Sequence, residues 1–589
     1  MSSSFTPQDF VAKWRRSELK ESAADREHFI DLCRLVGHPT PAEADATGAT
    51  FTFQYGAARL GGGQGFADVF KAGCFGWEYK GKHANLDRAY QQLLQYRESL
   101  HNPPLLVVSD FETIVVHPNF VNRLNRPTTL TLDDLLTPAG LASLQAIFFD
   151  PAHFESAETP ESVTRRVAQE FAQIAERLRG AGHAPPQVAH FLIRLLFCLF
   201  AEDVDLLPQG LFARLVERTR RQPAAFGPQV RQLFAAMAAK SWFGADPILH
   251  FDGGLFDDDT ALDLDGESLD ILARVVAADW SAIEPSIFGT LFERGLDPAK
   301  RAQLGAHYTS REDITLVVEP VLMAPLRRRW VEVRETAHRL AEQRDAARGQ
   351  RRANLDRQLQ NLLVDFSLEL AAVAVLDPAC GSGNFLYLVL LSLLDLWKQV
   401  YNEMLALGLT GLQPLPGIAP SPGQLYGIEV NEYAHELAQA TIWIGYIQWL
   451  RANGFGAPSE PILRPIQTVR RMDAILAFDA EGRPVEPAWP TVDVIIGNPP
   501  FLGGKRLRSE LGDGYVDALF SLYDGRVPRE CDLVCYWFEK TRAQIEAGKV
   551  KRAGLLATQA IRGGANRKVL ERIKATGDIF WAESDRNWI

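Results

Sequence analysis

Cysteine is scarce in this chain, with 6 among 589 residues, and only Cys531 and Cys535 lie near one another. No second Cys or His pair at metal-ligand spacing accompanies them. Neither a disulfide framework nor a zinc site is therefore indicated. Long apolar runs are lacking too. The greasiest stretches, Phe191–Phe200 and Phe385–Leu396, contain Arg194 and Asp395. Both fall short of the roughly 20 residues that cross a bilayer, so they read as buried helices and no membrane partner is expected. Met1–Arg16 has no apolar core of the kind a secretory leader needs. With the cysteine usage, this points to a cytoplasmic protein. Positive charge is not in excess either. A net charge of −11 argues against a protein that coats nucleic acid indiscriminately, but it leaves room for a locally basic surface.

What is present is an ordinary globular composition, 47% hydrophobic and 23% charged, at a length that suggests about three or four domains. Residues 1–150 mix helix and strand, opening on a predicted amphipathic helix from Phe10 to Leu35. Residues 151–284 read as an all-α connector, with apolar repeats through Val163–Leu178 and Val188–Phe200 and an Asp-rich loop, Asp257–Asp265. From 285 to 589 strands alternate with helices, as a mostly parallel sheet requires. The expected fold class is α/β multidomain. A charged helical insertion at about 326–370 carries Arg327, Arg328, Arg329, Arg344, Arg348, Arg351, Arg352 and Arg357. A solvated, ion-paired hairpin is the preferred reading, with a phosphate-contacting arm as the other. Gly411–Gly423 reads as a loop entering a strand.

The strongest signal is Val373-Ala-Val-Leu-Asp-Pro-Ala-Cys-Gly-Ser-Gly-Asn-Phe385. A β-branched run ends at Asp377, and a loop containing Ala379, Gly381 and Gly383 leads into an apolar helix. Ligands of open α/β sheets bind beyond the carboxyl ends of strands, where glycine lets the backbone approach closely. The loop lacks a P-loop lysine and the full dinucleotide fingerprint, so its spacing suits a cofactor without phosphate. Downstream, Gln424-Leu-Tyr-Gly-Ile-Glu-Val430 reads as a strand ending in Glu429, a carboxylate able to accept both ribose hydroxyls of an adenosine moiety. Asp473 is a third strand-end acid, suited to accept a bond from an adenine amino group. A lone strand-end acid is more often a helix cap, but three in this order favour a cofactor site.

Val492-Asp-Val-Ile-Ile-Gly-Asn-Pro-Pro-Phe501 follows. A buried strand delivers Asn498 to its end, and Pro499 and Pro500 fix the backbone and remove competing N–H donors. An exocyclic amine is a poor nucleophile because its lone pair is delocalised into the ring. The Asn498 side-chain oxygen and the Pro499 carbonyl can accept its two N–H bonds and draw the nitrogen toward tetrahedral geometry. Phe501 can stack on a base flipped out of a duplex. By itself Asn-Pro-Pro is simply a good turn. In this order of motifs the chain resembles the γ-class amino-methyltransferases of DNA, over about residues 285–589. The resemblance implies a Rossmann-like class I fold, S-adenosylmethionine as methyl donor and adenine N6 as acceptor. It also implies that Tyr308 and Thr309, within Gly305-Ala-His-Tyr-Thr309, contact the methionine part of the cofactor. Asp532-Leu-Val-Cys-Tyr-Trp-Phe538 matches as well, and the Arg562–Asn566 loop would lie near the target base.

Near the N-terminus, Asp68 precedes Glu78-Tyr-Lys80 by a hairpin's length. Side chains of a strand alternate, so Glu78 and Lys80 share a face that Asp68 can approach from the neighbouring strand. Two carboxylates and a lysine suit Mg²⁺-dependent phosphodiester cleavage, with Asp68 and Glu78 as metal ligands and Lys80 stabilising the developing charge. Surface ion pairs give the same pattern by chance. The following helix, carrying Gln92-x-x-x-Tyr96, and the strand Leu105–Ser109 make the segment resemble PD-(D/E)xK nucleases, with Glu21 as a candidate extra acid. Nuclease, helical connector and methyltransferase in this order resemble the Type IIL (MmeI-like) restriction–modification enzymes. That resemblance implies double-stranded DNA as partner, and a final strand and target-recognition domain beyond the methyltransferase. The sequence stops at Ile589, where that strand is due. The expectation is a truncated chain, or a separate polypeptide supplying recognition. A modification-only DNA adenine methyltransferase of a phage-defence system, with a silent nuclease fold, is the alternative.

Overall fold

The computed structural model describes residues 5–19, 21–58, 64–251, 255–278, 280, 283–285, 289, 309–409, 417–456 and 466–584. The expected helix Phe10–Leu35 is two helices, α1 (Pro7–Arg16) and α2 (Glu21–Val36). The first stops where Ser17 turns extended and its N–H bonds the Trp14 carbonyl. Breaking the helix lets Phe10 and Trp14 on one piece, and Phe29 and Leu32 on the other, enter the same core.

That core lies on one face of a six-stranded sheet, β1 (Phe51–Ala58), β2 (Gln64–Lys71), β3 (Phe75–Tyr79), β4 (Leu105–Ser109), β5 (Thr113–Pro118) and β6 (Thr128–Thr131), in that spatial order. Only the β3–β4 pair is parallel. The helix Leu86–Tyr96 makes the crossover such a pair needs. Alternation explains why β3 is buried throughout. Phe75, Trp77 and Tyr79 face α1 and α2, while across the sheet Ala67, Phe70, Leu106 and Val108 pack under Leu93 and Leu94 of the crossover helix.

Five helices, Pro160–Gly180, Pro185–Asp203, Leu211–Arg220, Phe226–Ala239 and Gly266–Val276, follow. Their core continues into Leu437, Ile444 and Ile447 of the helix Glu432–Ala452. The connector thus shares its interior with the region after it.

The C-terminal sheet has β7 (Val375–Asp377), β8 (Leu425–Glu429), β9 (Val469–Arg471), β10 (Val494–Gly497) and β11 (Arg552–Leu555). Their order is β9-β8-β7-β10-β11, and every pairing is parallel. The chain therefore winds outward from β7 in one direction, returns to β10 and winds in the other. Between β7 and β10 lies the switch point at which such sheets leave a crevice. The helices Ala324–Ala346 and Gly349–Ala372 form the charged hairpin. Trp330 and Phe366 stack inside it, and Arg329–Glu332, Arg334–Glu403 and Arg344–Asp356 pair outside, as the ion-paired reading expects.

The two sheets are joined directly. Glu98, just past the crossover helix, pairs with Lys398 at 2.7 Å, and Gln95 on that helix donates to the Gly454 carbonyl at 2.6 Å. No helix among the described residues is long and apolar enough to cross a membrane.

Candidate active site

The carboxyl ends of β7, β8, β9 and β10 bring together Asp377, Glu429, Asp473 and Asn498. Asp377 is buried (1% exposed), and its Oδ1 accepts the Ala379 N–H at 3.0 Å. Burial pushes its carboxyl up to about 7, and the nearby Glu429 charge adds to the shift. Glu429 accepts the Gly381 N–H at 3.0 Å and the Asn431 N–H at 2.7 Å, one on each oxygen. Burial raises its pKa too, against these bonds. A carboxylate offers about four acceptor positions, so these backbone bonds leave Glu429 with capacity for a hydroxyl donor.

Two glycines permit close packing around these carboxylates. Gly383 starts the helix Asn384–Ala406 with φ +85°, and a Cβ there would come within 2.9 Å of the Ala438 backbone. A Cβ on Gly497 would meet Asp377 Oδ1 at 2.4 Å. By contrast, a Cβ on Gly381, at φ +53°, meets nothing within 4 Å.

Beyond Gly497, Asn498 donates from Nδ2 to the buried Thr309 hydroxyl at 3.1 Å. Its Oδ1 is buried and has no hydrogen-bond partner among the described residues. A buried acceptor left empty costs roughly 1–3 kcal/mol, so this oxygen points to a donor that arrives with a ligand. Pro499 is buried, while Pro500 and Phe501 are half-buried. The next turn is tied to the rest of the site by Asp532, which accepts the Gly504 N–H at 3.0 Å and pairs with Asn566 at 2.8 Å. Asp532 thus links Asn566, at the end of the Arg562–Asn566 loop, to Gly504, three residues past Phe501. Tyr308 lies outside the described residues.

Side chains around the strand ends add to this geometry. Val430 follows Glu429 and is 61% exposed, an apolar side chain facing out where a flat ring could rest. Its signal was a β-branched residue just past the strand-end acid. Trp537 donates to the Pro378 carbonyl at 3.0 Å and steadies the glycine loop. Asp473 bonds the Ile475 and Leu476 N–H groups through Oδ1 and receives the Tyr515 hydroxyl at 2.8 Å on Oδ2. Asp473 is thus a loop cap as well as a candidate ligand, and it enters the site already fastened.

In the N-terminal sheet, register sets Val69 of β2 against Trp77 of β3, placing Asp68 beside Glu78. Asp68 accepts the Tyr79 N–H at 2.7 Å. Burial, and then the Glu78 charge, push its carboxyl up to about 7. Glu78 Oε1 receives Lys80 at 2.6 Å and Gln92 at 3.0 Å. Glu21 accepts the Gly81 N–H at 3.0 Å, so it stands beside this group. Among the described residues no set of three or more His, Cys, Asp or Glu side chains is arranged to hold a metal.

Residues 6–181 match the profile of the MmeI N-terminal domain, 186–256 that of the MmeI helicase spacer domain, and 350–589 that of the MmeI DNA-methyltransferase domain. The chain belongs to the MmeI family. It is similar to DNA methyltransferase A of Bacillus subtilis (strain 168), 26% identical over 399 residues that cover 65% of this chain and 41% of that protein. The structure of the Type IIL restriction–modification enzyme MmeI in complex with DNA has a TM-score of 0.56 to this chain at 25% identity, covering 70% of this chain and 53% of the other. The MmeI-family chain thus spans less than half of the curated relative and about half of the solved structure. The β7, β8 and β10 site falls wholly within the segment matched to the family's methyltransferase domain.

Proposed function

We propose that this chain transfers a methyl group from S-adenosylmethionine to N6 of an adenine in double-stranded DNA. The observation that carries the reading is the buried, unsatisfied Asn498 Oδ1 at the switch point, beside the Pro499 backbone. An adenine amino group has two N–H bonds to give, and Asn498 Oδ1 with the Pro499 carbonyl offers two acceptors. Accepting both localises the nitrogen lone pair and aims it at the methyl carbon, while Phe501 stacks on the flipped base. The cofactor fits the remaining groups. Glu429 has lone pairs for the ribose, Val430 offers an apolar face to the adenine, and Asp473 is placed for its amino group. Gly381 leaves open space where the chain must be approached closely, and Tyr308, Thr309, Asp377, Ala379 and Gly383 complete the set. When bound, this cofactor would supply an electron-poor methyl on sulfur, while Asn498 Oδ1 and the Pro499 carbonyl would hold the two N–H bonds of the accepting amine.

Incubating the chain with unmethylated duplex DNA and methyl-labelled S-adenosylmethionine tests this, with the digested DNA assayed for N6-methyladenine. Labelled N6-methyladenine is the expected outcome. Label on cytosine, RNA or a protein amide, or none from a chain that binds the cofactor, overturns it.

The N-terminal sheet supports a second activity, Mg²⁺-dependent DNA cleavage. Two adjacent carboxylates, with the Glu78 charge raising the proton affinity of Asp68, fit a divalent cation, which would neutralise both. Asp68 and Glu78 would hold Mg²⁺, and Lys80 would stabilise charge on the phosphate. The metal would supply a hydroxide nucleophile and charge neutralisation. Nicking of supercoiled DNA that needs both Mg²⁺ and Lys80 is expected. Its absence favours the modification-only alternative with a silent nuclease fold.

A further inference from the structure

Lys540 lies in the helix Val534–Glu546 and is 1% exposed. Its Nζ donates to the carbonyl oxygens of Ala474 at 2.7 Å and Pro487 at 2.6 Å, and stands 4.6 Å from the centre of the Trp489 ring. Among the described residues no carboxylate is within ion-pair distance of it. Removing an unpaired ammonium from water costs more than two hydrogen bonds to carbonyls return, and an apolar residue of similar length would fill the same volume at less cost. Packing therefore does not explain a cation here.

Its two acceptors do. Ala474 follows Asp473 directly. The same carbonyl also accepts the Trp489 indole N–H at 2.8 Å, and the Ile475 carbonyl accepts the Tyr523 hydroxyl at 3.0 Å. The carbonyls that follow Asp473 are thus both fixed, and the Asp473 carboxylate, bonded to the Ile475 and Leu476 N–H groups and the Tyr515 hydroxyl, moves with them. Lys540 is the point at which the loop after β9 and the segment around Pro487 are drawn together. The same helix holds the glycine loop through Trp537.

We propose that Lys540 is a positioning residue of the cofactor site. Its ammonium clamps the Ala474 and Pro487 carbonyls and so presents the Asp473 carboxylate to the adenine amino group of S-adenosylmethionine. The inference rests on the proposed function and adds a residue to it. Burial brings the Lys540 pKa down to about 7, with the Glu486 and Asp473 charges opposing the shift and Arg526 adding to it. The clamp therefore weakens as the ammonium loses its proton.

Titration calorimetry of S-adenosylmethionine onto wild type and Lys540→Met, at about pH 6 and about pH 9, tests it, with melting temperatures alongside. At the lower pH the variant should bind roughly tenfold more weakly, or ~1.4 kcal/mol, with an unchanged or raised melting temperature. The deficit should narrow severalfold at the higher pH, and kcat at saturating cofactor should stay within about twofold. Lys540→Gln, which keeps a neutral donor, should show a smaller deficit that narrows in the same way, and it serves if the Met variant does not fold. Equal affinity of a folded variant and wild type at the lower pH overturns the proposal and leaves the proposed function standing. A wild-type chain that binds no S-adenosylmethionine overturns both.

Discussion

Among the described residues Asn498 holds its amide by a single bond, Nδ2 to the Thr309 hydroxyl, so its oxygen is aimed without being spent. Asn498→Ala should lower methylation at least about 100-fold while leaving S-adenosylmethionine affinity within about twofold. Labelled-methyl transfer and calorimetry on the same preparation check this, and loss of both together contradicts the assigned role. Asp68 offers a pH readout. Its carboxyl is pushed up to about 7, so below that pH a proton competes with any cation at the site. Mg²⁺-dependent nicking should rise with pH and level off above about 7. A profile that is flat between about pH 5 and 8 argues against Asp68 as a ligand. Lys80→Ala should abolish nicking and spare methylation, since its partners, Glu78 included, belong to the other sheet.

Among the elements, β7 and β10 lie so close that one hydrogen atom decides the fit. Gly497→Ala would put a methyl group 2.4 Å from Asp377 Oδ1. About 1–3 kcal/mol of stability should be lost, read as a lower urea midpoint at unchanged slope, together with weaker cofactor binding. The strands that carry Asp377, Glu429 and Asn498 were legible in the sequence because each is a short apolar run ending in one polar residue and a turn. That pattern is local, and chemistry at strand ends depends on it. The break between α1 and α2 was not legible, because the apolar spacing from Phe10 to Leu35 continues across it and only the shared core demands two directions. Nor were the pairs Tyr515–Asp473 and Asp532–Asn566, separated by 42 and 34 residues along the chain. Tertiary folding alone selects such partners. Asp473 shows the limit well. As a strand-end acid it reads as a ligand, yet half of its capacity is used to cap its own loop.

At the scale of the molecule, the connector's core runs into the helix Glu432–Ala452, and the crossover helix of the first sheet reaches Gly454 and Lys398 of the second region. Lys398 is 6% exposed at its side chain and also bonds Asn453 at 2.6 Å. Lys398→Ala would empty the Asn453 side-chain oxygen and leave Glu98 with its Arg97 pair. Because Glu98 is 32% exposed and solvent screens it, a loss of about 1–3 kcal/mol is expected. Limited proteolysis should then cut between the two regions faster, while methylation persists. An unchanged digestion pattern would show that other contacts carry the junction.

The closeness of Gly497 to Asp377 also bears on how such proteins can be recombined. A chimaera whose breakpoint falls between positions 377 and 497 draws its cofactor acid from one parent and the backbone beside it from the other. It escapes the penalty of a side chain pressed on Asp377 only if the second parent contributes a glycine there. Breakpoints outside that interval carry no such condition, so β7 through β10 behaves as one heritable block.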